Sequence, residues 1–426
     1  MSYANMRIDY MKKSIWIFNH YGCTPNTGAL LRHFNFGKNL IKNDYLCTVF
    51  VSNQLHYKND IIPIRRGKQV YKDDEGVPFV FIKTSPYKGN GLSRVLNMYS
   101  YYKNLFPVTK KYFKQNGKPD IILASSVHPL ALIAGIKIAK KHNIPCICEV
   151  RDLWPESIFE YGSLKKNSLL GKILQAGEKW IYIKADRIIF TMQGGYDYII
   201  EQGWQEKIPK EKCFYINNGV DLETFDYNKE NYIVEDEDLK NDDIFKIIYT
   251  GSVRRVNNLK IIVDVAKELK ENEKIKFLIW GDGDELEELR GYIKDKKHNN
   301  IVFKGYIEKK YIPYILSRAD VNLSHCEYKS ISRFGTSRNK NFDYLASGKP
   351  ILCTEKVKYD IFLESDSGIV IEEQITKSIK NAVLCFYNIK TKQKEQYIKM
   401  CRNARKKVLE YDFNILTKKL IEIIEN

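Results

Sequence analysis

A chain of 426 residues is too long for one ordinary hydrophobic core, and its 44% hydrophobic and 13% aromatic content excludes an intrinsically disordered protein. The formal net charge of +17 calls for a polyanionic neighbour, which leaves phosphorylated substrates, an anionic membrane surface and nucleic acid as candidates. No apolar run reaches the roughly 18 residues of a membrane span, and Met1 to Lys13 is polar and mixed in charge, unlike a secretory leader, so a cytoplasmic chain is expected.

Short apolar runs at 15–18, 48–51, 79–82, 121–123, 144–148 and 188–190 alternate with longer periodic segments, and a second series follows at 247–249, 276–280, 301–303, 321–323, 351–353 and 369–371. Strands separated by helices predict parallel sheets, and two such series predict two Rossmann-like α/β domains. The expected boundaries are 1–207, a connector over 208–243 containing the turn Asn217-Asn218-Gly219, a second domain over 244–396, and a final helical stretch over 397–426. Within the first domain, Leu92, Val95, Leu96, Tyr99, Tyr102 and Phe106 follow helical spacing, with Lys103, Lys110, Lys111 and Lys114 close by. That segment suits an anionic lipid surface, and it equally suits a core-facing helix with a solvated basic flank. Zinc-finger and RRM signatures are missing, so no nucleic-acid partner is expected. Nine cysteines without a C-x-x-C pair give neither a disulfide framework nor a zinc site and read as small buried hydrophobes.

Ligands of doubly wound sheets lie beyond the carboxyl ends of the strands, so the loops there carry the candidate chemistry. After the first run, 19–28 reads NHYGCTPNTG; Gly28 permits close backbone approach, and Asn26, Thr27 and Arg32 are the polar groups available to an acceptor. This is not G-x-G-x-x-G, which weighs against a nicotinamide or flavin enzyme. His128 precedes Pro129 at a helix entrance. Arg151 and Asp152 end another strand beside Trp154, where they suit orienting an acceptor hydroxyl, with Asp152 or Glu149 as proton acceptor; a structural ion pair is the alternative.

In the second half Gly251 and Ser252 close a strand, followed by Arg254 and Arg255; a guanidinium forks onto phosphate oxygens, and Arg255 is the expected diphosphate clamp. Asp282-Gly283-Asp284 has the look of a carboxylate metal motif, but it leads straight into the helical spacing of Leu286, Leu289 and Tyr292, so no metal is expected. The most informative stretch is RNKNFDYLASGKPI at 338–351. A helix opening near Ser337 points free N–H groups at an anion, Lys340 adds a full charge, and Asp343 follows on the same face, placed to accept from a ribose. Gly348 and Pro350 then stop the helix, a pattern that an ordinary amphipathic helix also shows.

Taken in order, Ile216-Asn217-Asn218-Gly219-Val220-Asp221, Tyr249-Thr250-Gly251-Ser252, Ile279-Trp280-Gly281-Asp282-Gly283 and the Ser337 to Tyr344 stretch resemble retaining glycosyltransferases of family 4, a GT-B group. Ser126-Val127-His128-Pro129-Leu130 and the Glu149 to Pro155 segment are similar to the bacterial polysaccharide-assembly branch of amino-sugar and fucosamine-type transferases. The resemblance covers nearly the whole chain. It implies a GT-B fold, two Rossmann-like domains facing a central cleft, with the last helix crossing back to the first domain. It also implies transfer of a sugar, with retention, from a nucleotide-diphosphate sugar, UDP-linked as the first expectation, to a lipid-linked or surface-polysaccharide acceptor. No cofactor is implied, and the place implied is the cytoplasm or the inner face of the membrane.

By resemblance, His128 approaches the donor, and Tyr306 and Ile307 line a nucleobase pocket. Two departures stand out. Asn257 replaces a lysine of the usual cationic cradle, and of the paired glutamates spaced E-x7-E the second falls on Asp343 while the first falls on Gly335. Gly335, Thr336 and Ser337 are therefore expected to meet the donor through backbone groups. A nucleotide-sugar epimerase of the same fold and a non-catalytic basic binder of nucleic acid or membrane remain as alternatives.

Overall fold

The computed structural model describes residues 13–55, 60–89, 91–160, 162, 164–296 and 299–426, with the side chains of 295 and 296 left aside. The segment on which the leader argument rests lies, apart from Lys13, outside the described residues. Contacts divide the chain into two units, one running to Asn217 and taking in Leu416–Asn426, the other Asn218–Ile415.

The first unit is an eight-stranded sheet in the order β3-β4-β2-β1-β5-β6-β7-β8. Its strands are β1 Ser14–Asn19, β2 Leu46–Ser52, β3 Gln69–Asp74, β4 Val77–Ile82, β5 Ile121–Ser125, β6 Cys146–Val150, β7 Arg187–Phe190 and β8 Cys213–Tyr215. All six expected strands are present. β3 and β8 are additions, one because QVYKDD is a polar edge strand and the other because three residues show no period. β3 is also the antiparallel exception, turning into β4 through Glu75 and Gly76, both at positive φ (51° and 82°), the geometry that matches strand twist. The covering helices are α1 Arg32–Lys42, α2 Leu92–Asn116, α3 Pro129–His142, α4 Leu169–Lys184 and α5 Gly195–Glu201.

The spacing read at 92–106 does form helix α2, yet the first part of its apolar stripe faces outward, while Tyr102 and Phe106 are half-buried. Leu92, Val95, Leu96 and Tyr99 are 74%, 55%, 52% and 53% exposed, while Asn97, Tyr101, Leu105, Val108 and Thr109 point inward. Inward donors find carbonyls: Asn97 Nδ2 donates to the Ser85 carbonyl at 2.6 Å, and the Tyr101 hydroxyl to the Phe50 carbonyl at 2.8 Å, while Asn97 Oδ1 is buried without a partner.

The second unit holds a fully parallel sheet, β11-β10-β9-β12-β13-β14. Its strands are β9 Phe245–Thr250, β10 Ile275–Trp280, β11 Ile301–Gly305, β12 Val321–Ser324, β13 Ile351–Cys353 and β14 Gly368–Val370, each on an expected run. Its longer helices are α6 Leu222–Asn231, α7 Lys260–Glu268, α8 Leu286–Lys296, α9 Ile312–Ser317, α10 Asn339–Ala346, α11 Thr376–Lys392 and α12 Lys394–Val408. Burial on both faces explains the near-continuous apolar strands, with Ile247, Tyr249, Phe277 and Leu323 packed on one side and Ile248, Leu278 and Trp280 on the other. The single final helix expected from the sequence is two, α12 and α13 Phe413–Glu425. Asp412 makes the break: its Oδ1 accepts from Asn414 N at 2.7 Å, and its backbone bridges Val220. The stretch 208–243 contributes β8 to the first sheet and α6 to the second unit. Six of the cysteines are buried, but Cys385 is exposed, so the small-hydrophobe reading does not extend to it.

Both strand orders reverse at one place, between β1 and β5 in the first sheet and between β9 and β12 in the second. Crossovers leave these points in opposite directions, opening a crevice at the carboxyl edge where ligands bind in doubly wound sheets.

Candidate functional site

At the switch point of the second unit, three strand-end loops are hydrogen-bonded into one wall. Gly251 N donates to Trp280 O at 3.0 Å, Val253 N to Asp282 O at 2.9 Å, and Gly281 N to Gly305 O at 2.8 Å. Only glycine fits this contact, because a Cβ on Gly281 would lie 1.7 Å from the Gly251 carbonyl oxygen and one on Gly283 2.0 Å from that of Val253. Ser252 and Arg255 stand exposed on this loop, and Arg255 is close enough to pull on the Glu285 carboxyl, which burial nonetheless holds above its usual range. Asn257, at the departure from the cationic cradle, folds back and donates to Ser252 O at 2.7 Å and Oγ at 2.8 Å, so it pins the loop instead of charging it.

Across the switch point, α10 delivers the cation. Lys340 Nζ donates to the His325 carbonyl at 2.7 Å and lies 4.5 Å from the Tyr249 ring centroid. Burial, with Arg338 adding like charge, pushes its pKa down to about 8. Arg338 pairs with the buried Glu355 carboxylate. His325 is fixed at both nitrogens, to Thr354 Oγ1 at 2.7 Å and the Asn258 carbonyl at 3.1 Å, and burial lowers its pKa to about 4.

Gly335 has φ 94°, and Ser337 receives Asn218 Nδ2 at its carbonyl, 2.7 Å away, so the Asn217-Asn218-Gly219 turn braces this loop. Thr336, Arg338, Glu355 and Asp360 line a small cavity beside α10, together with Val357 and Phe362. Asp343, expected on the face of Lys340, answers electrostatically to Lys309 instead, while burial raises its carboxyl. It belongs with the loop after β11, where Tyr306 is 72% exposed and Ile307 packs against the core.

In the first unit, His20 follows β1 and His128 follows β5, and their rings meet edge to face, Nδ1 to Nε2, at 2.6 Å. His20 stacks on Tyr101 with centroids 4.4 Å apart. His128 precedes Pro129 at the first helical position of α3, as the sequence indicates. Burial, then the charge of Arg94, lowers its pKa to about 3, and its Nδ1 is buried without a hydrogen-bond partner. Arg151 Nε, at the end of β6, is likewise buried without a partner. Such orphans mark a ligand or water position. Asp152 keeps an open face, yet its surroundings raise its carboxyl against the pull of Arg151; Trp154 is half-buried beside it.

The structure places other expected residues in scaffolding contacts. Arg32 is 5% exposed and donates to Glu149 at 2.8 Å and to the carbonyls of Ile216 and Asn217. Glu149 also meets His33 at 2.9 Å and Ser125 at 2.6 Å; burial alone would raise its carboxyl, but Arg32 and His33 hold it well below the usual range. Thr27 Oγ1 accepts from Thr24 N at 2.8 Å, Asn26 donates to Asp74 at 2.9 Å, and a Cβ on Gly28 would meet Cys23 Sγ at 2.7 Å, so 24–28 is a tight turn. His20, His325, Arg338 and Glu355 were missed by sequence reasoning. Their shared signal is position: each lies just beyond a strand's carboxyl end or at the start of α10.

The model of the "Glycosyltransferase Family 4" matches residues 65–224, and that of the "Glycosyl transferases group 1" matches 244–388. A probable glycosyltransferase, WbjE of Pseudomonas aeruginosa, is 25% identical over 237 residues, 55% of this chain and 56% of that protein, so the match spans little more than half of the relative's length. Among solved structures, sucrose-phosphate synthase from Thermosynechococcus elongatus superposes with a TM-score of 0.71 at 13% identity, covering 97% of this chain and 98% of that one. Anabaena HepE in complex with UDP follows with a TM-score of 0.66 at 12% identity over 97% and 100%. Two glycosyltransferase family models thus match successive stretches of the chain, which has a GT-B fold.

Proposed function

We propose that this protein moves a sugar from a nucleotide-diphosphate sugar to a lipid-linked or surface-polysaccharide acceptor, with retention at the anomeric carbon. The observation that carries this reading is Lys340, a largely buried cation at the β9/β12 switch point, held between the His325 carbonyl and the Tyr249 ring with a pKa already lowered to about 8. A buried charge without a full counter-ion is costly, and a diphosphate relieves that cost.

In this reading the departing nucleoside diphosphate gathers negative charge as the glycosidic bond breaks, and Lys340, Arg255 and the N–H groups opening α10 receive it. The wall at Gly251 and Gly281 admits the diphosphate at backbone distance. Tyr306 and Ile307 hold the base, Asp343 the ribose, and Gly335, Thr336 and Ser337 the sugar. A UDP-linked donor is the first candidate, since a solved structure of the same fold, HepE, is a complex with UDP. His128 and Arg151, each with an orphaned nitrogen, are the groups that would meet sugar or acceptor in the first unit, with Asp152 and Trp154 beside them. The cytoplasm, where nucleotide sugars are made, is the proposed compartment, and no cofactor or metal is assigned a role.

Thermal shift against a panel of nucleoside diphosphates and their sugars is the test. Uridine compounds are expected to raise the melting temperature, and nucleotide release should need an acceptor. Stabilisation by none of them would refute the donor site, and conversion of the donor without acceptor would point to an epimerase instead.

A further inference from the structure

The outward stripe on α2 has a counterpart that the sequence reading did not single out. At the start of α4, Leu169, Leu170 and Ile173 are 78%, 53% and 57% exposed. α3 packs against both α2 and α4, so the three helices form one layer on the sheet. α2 starts on the connection that leaves the carboxyl end of β4, and α4 on the longer one from β6, which passes through the short helix Glu156–Glu160, so both sets of bare side chains, Leu92 to Tyr99 and Leu169 to Ile173, lie toward the sheet edge that carries His20 and His128.

The charge on this layer has one sign. Across α2, α3 and α4 there are eleven lysines and arginines, and the only carboxylate, Glu178, is 3% exposed and bonded to the hydroxyls of Tyr182 and Tyr198 at 2.7 Å each. Lys137 of α3 reaches back to the Tyr102 hydroxyl of α2 at 2.9 Å, joining cationic and aromatic surfaces.

We propose that the outer face of α2, α3 and α4 is a docking surface for an anionic lipid bilayer. Seven exposed aliphatic and aromatic side chains at one edge, with Arg94 and Lys172 among them and the other nine cations further along the same helices, match a surface that offers acyl chains beneath phosphate headgroups. A nucleic acid would engage the lysines and leave the leucines in water. A second copy of this chain would cover the leucines and set cation against cation. Docking of this kind holds the edge bearing His128 at headgroup level, where the sugar end of a lipid-linked acceptor lies. That purpose rests on the glycosyl-transfer reading; the docking does not.

The test is co-sedimentation of the full chain, without sugar nucleotide, with phosphatidylcholine vesicles and with vesicles that also contain phosphatidylglycerol. The chain should partition onto the anionic vesicles and be released by salt. The paired variants Leu92→Ser with Leu96→Ser, and Leu169→Ser with Leu170→Ser, should each weaken binding about tenfold or more with an unchanged melting temperature, since these side chains already face water. Equal affinity of variants and parent, equal binding to neutral vesicles, or self-association abolished by the same substitutions would each overturn the proposal. Thermal shift by UDP, run on the same variants, reads the donor site separately.

Discussion

Replacing Lys340 with methionine should stabilise the empty protein and disable it at once. The ordinary lysine value is 10.5 and the folded value about 8; at about 1.4 kcal/mol per unit, keeping this group protonated in the fold costs about 3 kcal/mol at neutral pH. Methionine fills the same volume without that cost, but it forgoes the bond to the His325 carbonyl and the contact with Tyr249, together about 1 to 2 kcal/mol. The expected net gain is about 1 to 2 kcal/mol, roughly 2 to 8 °C in melting temperature. The sign with pH is fixed. Between the folded value near 8 and 10.5 the unfolded chain binds the extra proton, so the parent gains stability as pH rises through that window and the advantage of Lys340→Met disappears. Urea unfolding of both proteins at pH 7 and above pH 10 reads this directly. Isothermal titration with UDP at pH 7 should show affinity lower by about tenfold or more, the worth of one charge-assisted bond. A variant that is less stable at every pH, or that binds UDP as the parent does, would refute the reasoning.

Arg32→Met leaves the Glu149 carboxylate buried without its guanidinium partner and should cost about 3 to 5 kcal/mol in chemical denaturation. Glu178, which burial raises to about 8 despite its two tyrosine donors, is neutral at pH 7, so Glu178→Gln should stay within about 1 kcal/mol there. Because its folded value lies above the unfolded one, the parent loses stability as pH rises from about 4.5 to about 8, and the glutamine variant should lack that slope. Gly281→Ala must displace the Gly251 carbonyl and should abolish the thermal shift by UDP while circular dichroism stays that of the parent.

Strands buried on both faces were legible because an apolar run bounded by turns has few other uses, which is why all twelve expected strands exist. β3 was not, since an edge strand such as QVYKDD faces water and carries no apolar signal. Periodicity located α2 correctly but says nothing of which way its stripe turns; Asn97 and Tyr101 point inward because distant carbonyls bond them, and partners so far away in sequence leave no local trace. For the site, loops after strands were the right places to look, and Gly251, His128 and Lys340 sit at the switch points. The roles of neighbours were harder to read. Arg32 and Glu149 look like reactive groups in one dimension, and only the pairing of α1 with β6 shows their charges neutralising each other. Asp343 follows Lys340 by three residues, yet the turn of α10 directs it toward Lys309.

Leu416–Asn426 counts with the first unit, although everything from Asn218 to Ile415 belongs to the second. Lys13 donates to the Ile424 carbonyl at 3.1 Å and pairs with Glu425 at 2.9 Å, and the Tyr45 hydroxyl bonds Glu425 at 2.7 Å, so β1 and the start of β2 are completed by the last helix. During synthesis the first sheet must therefore wait, with part of its surface bare, until the entire second unit has been made.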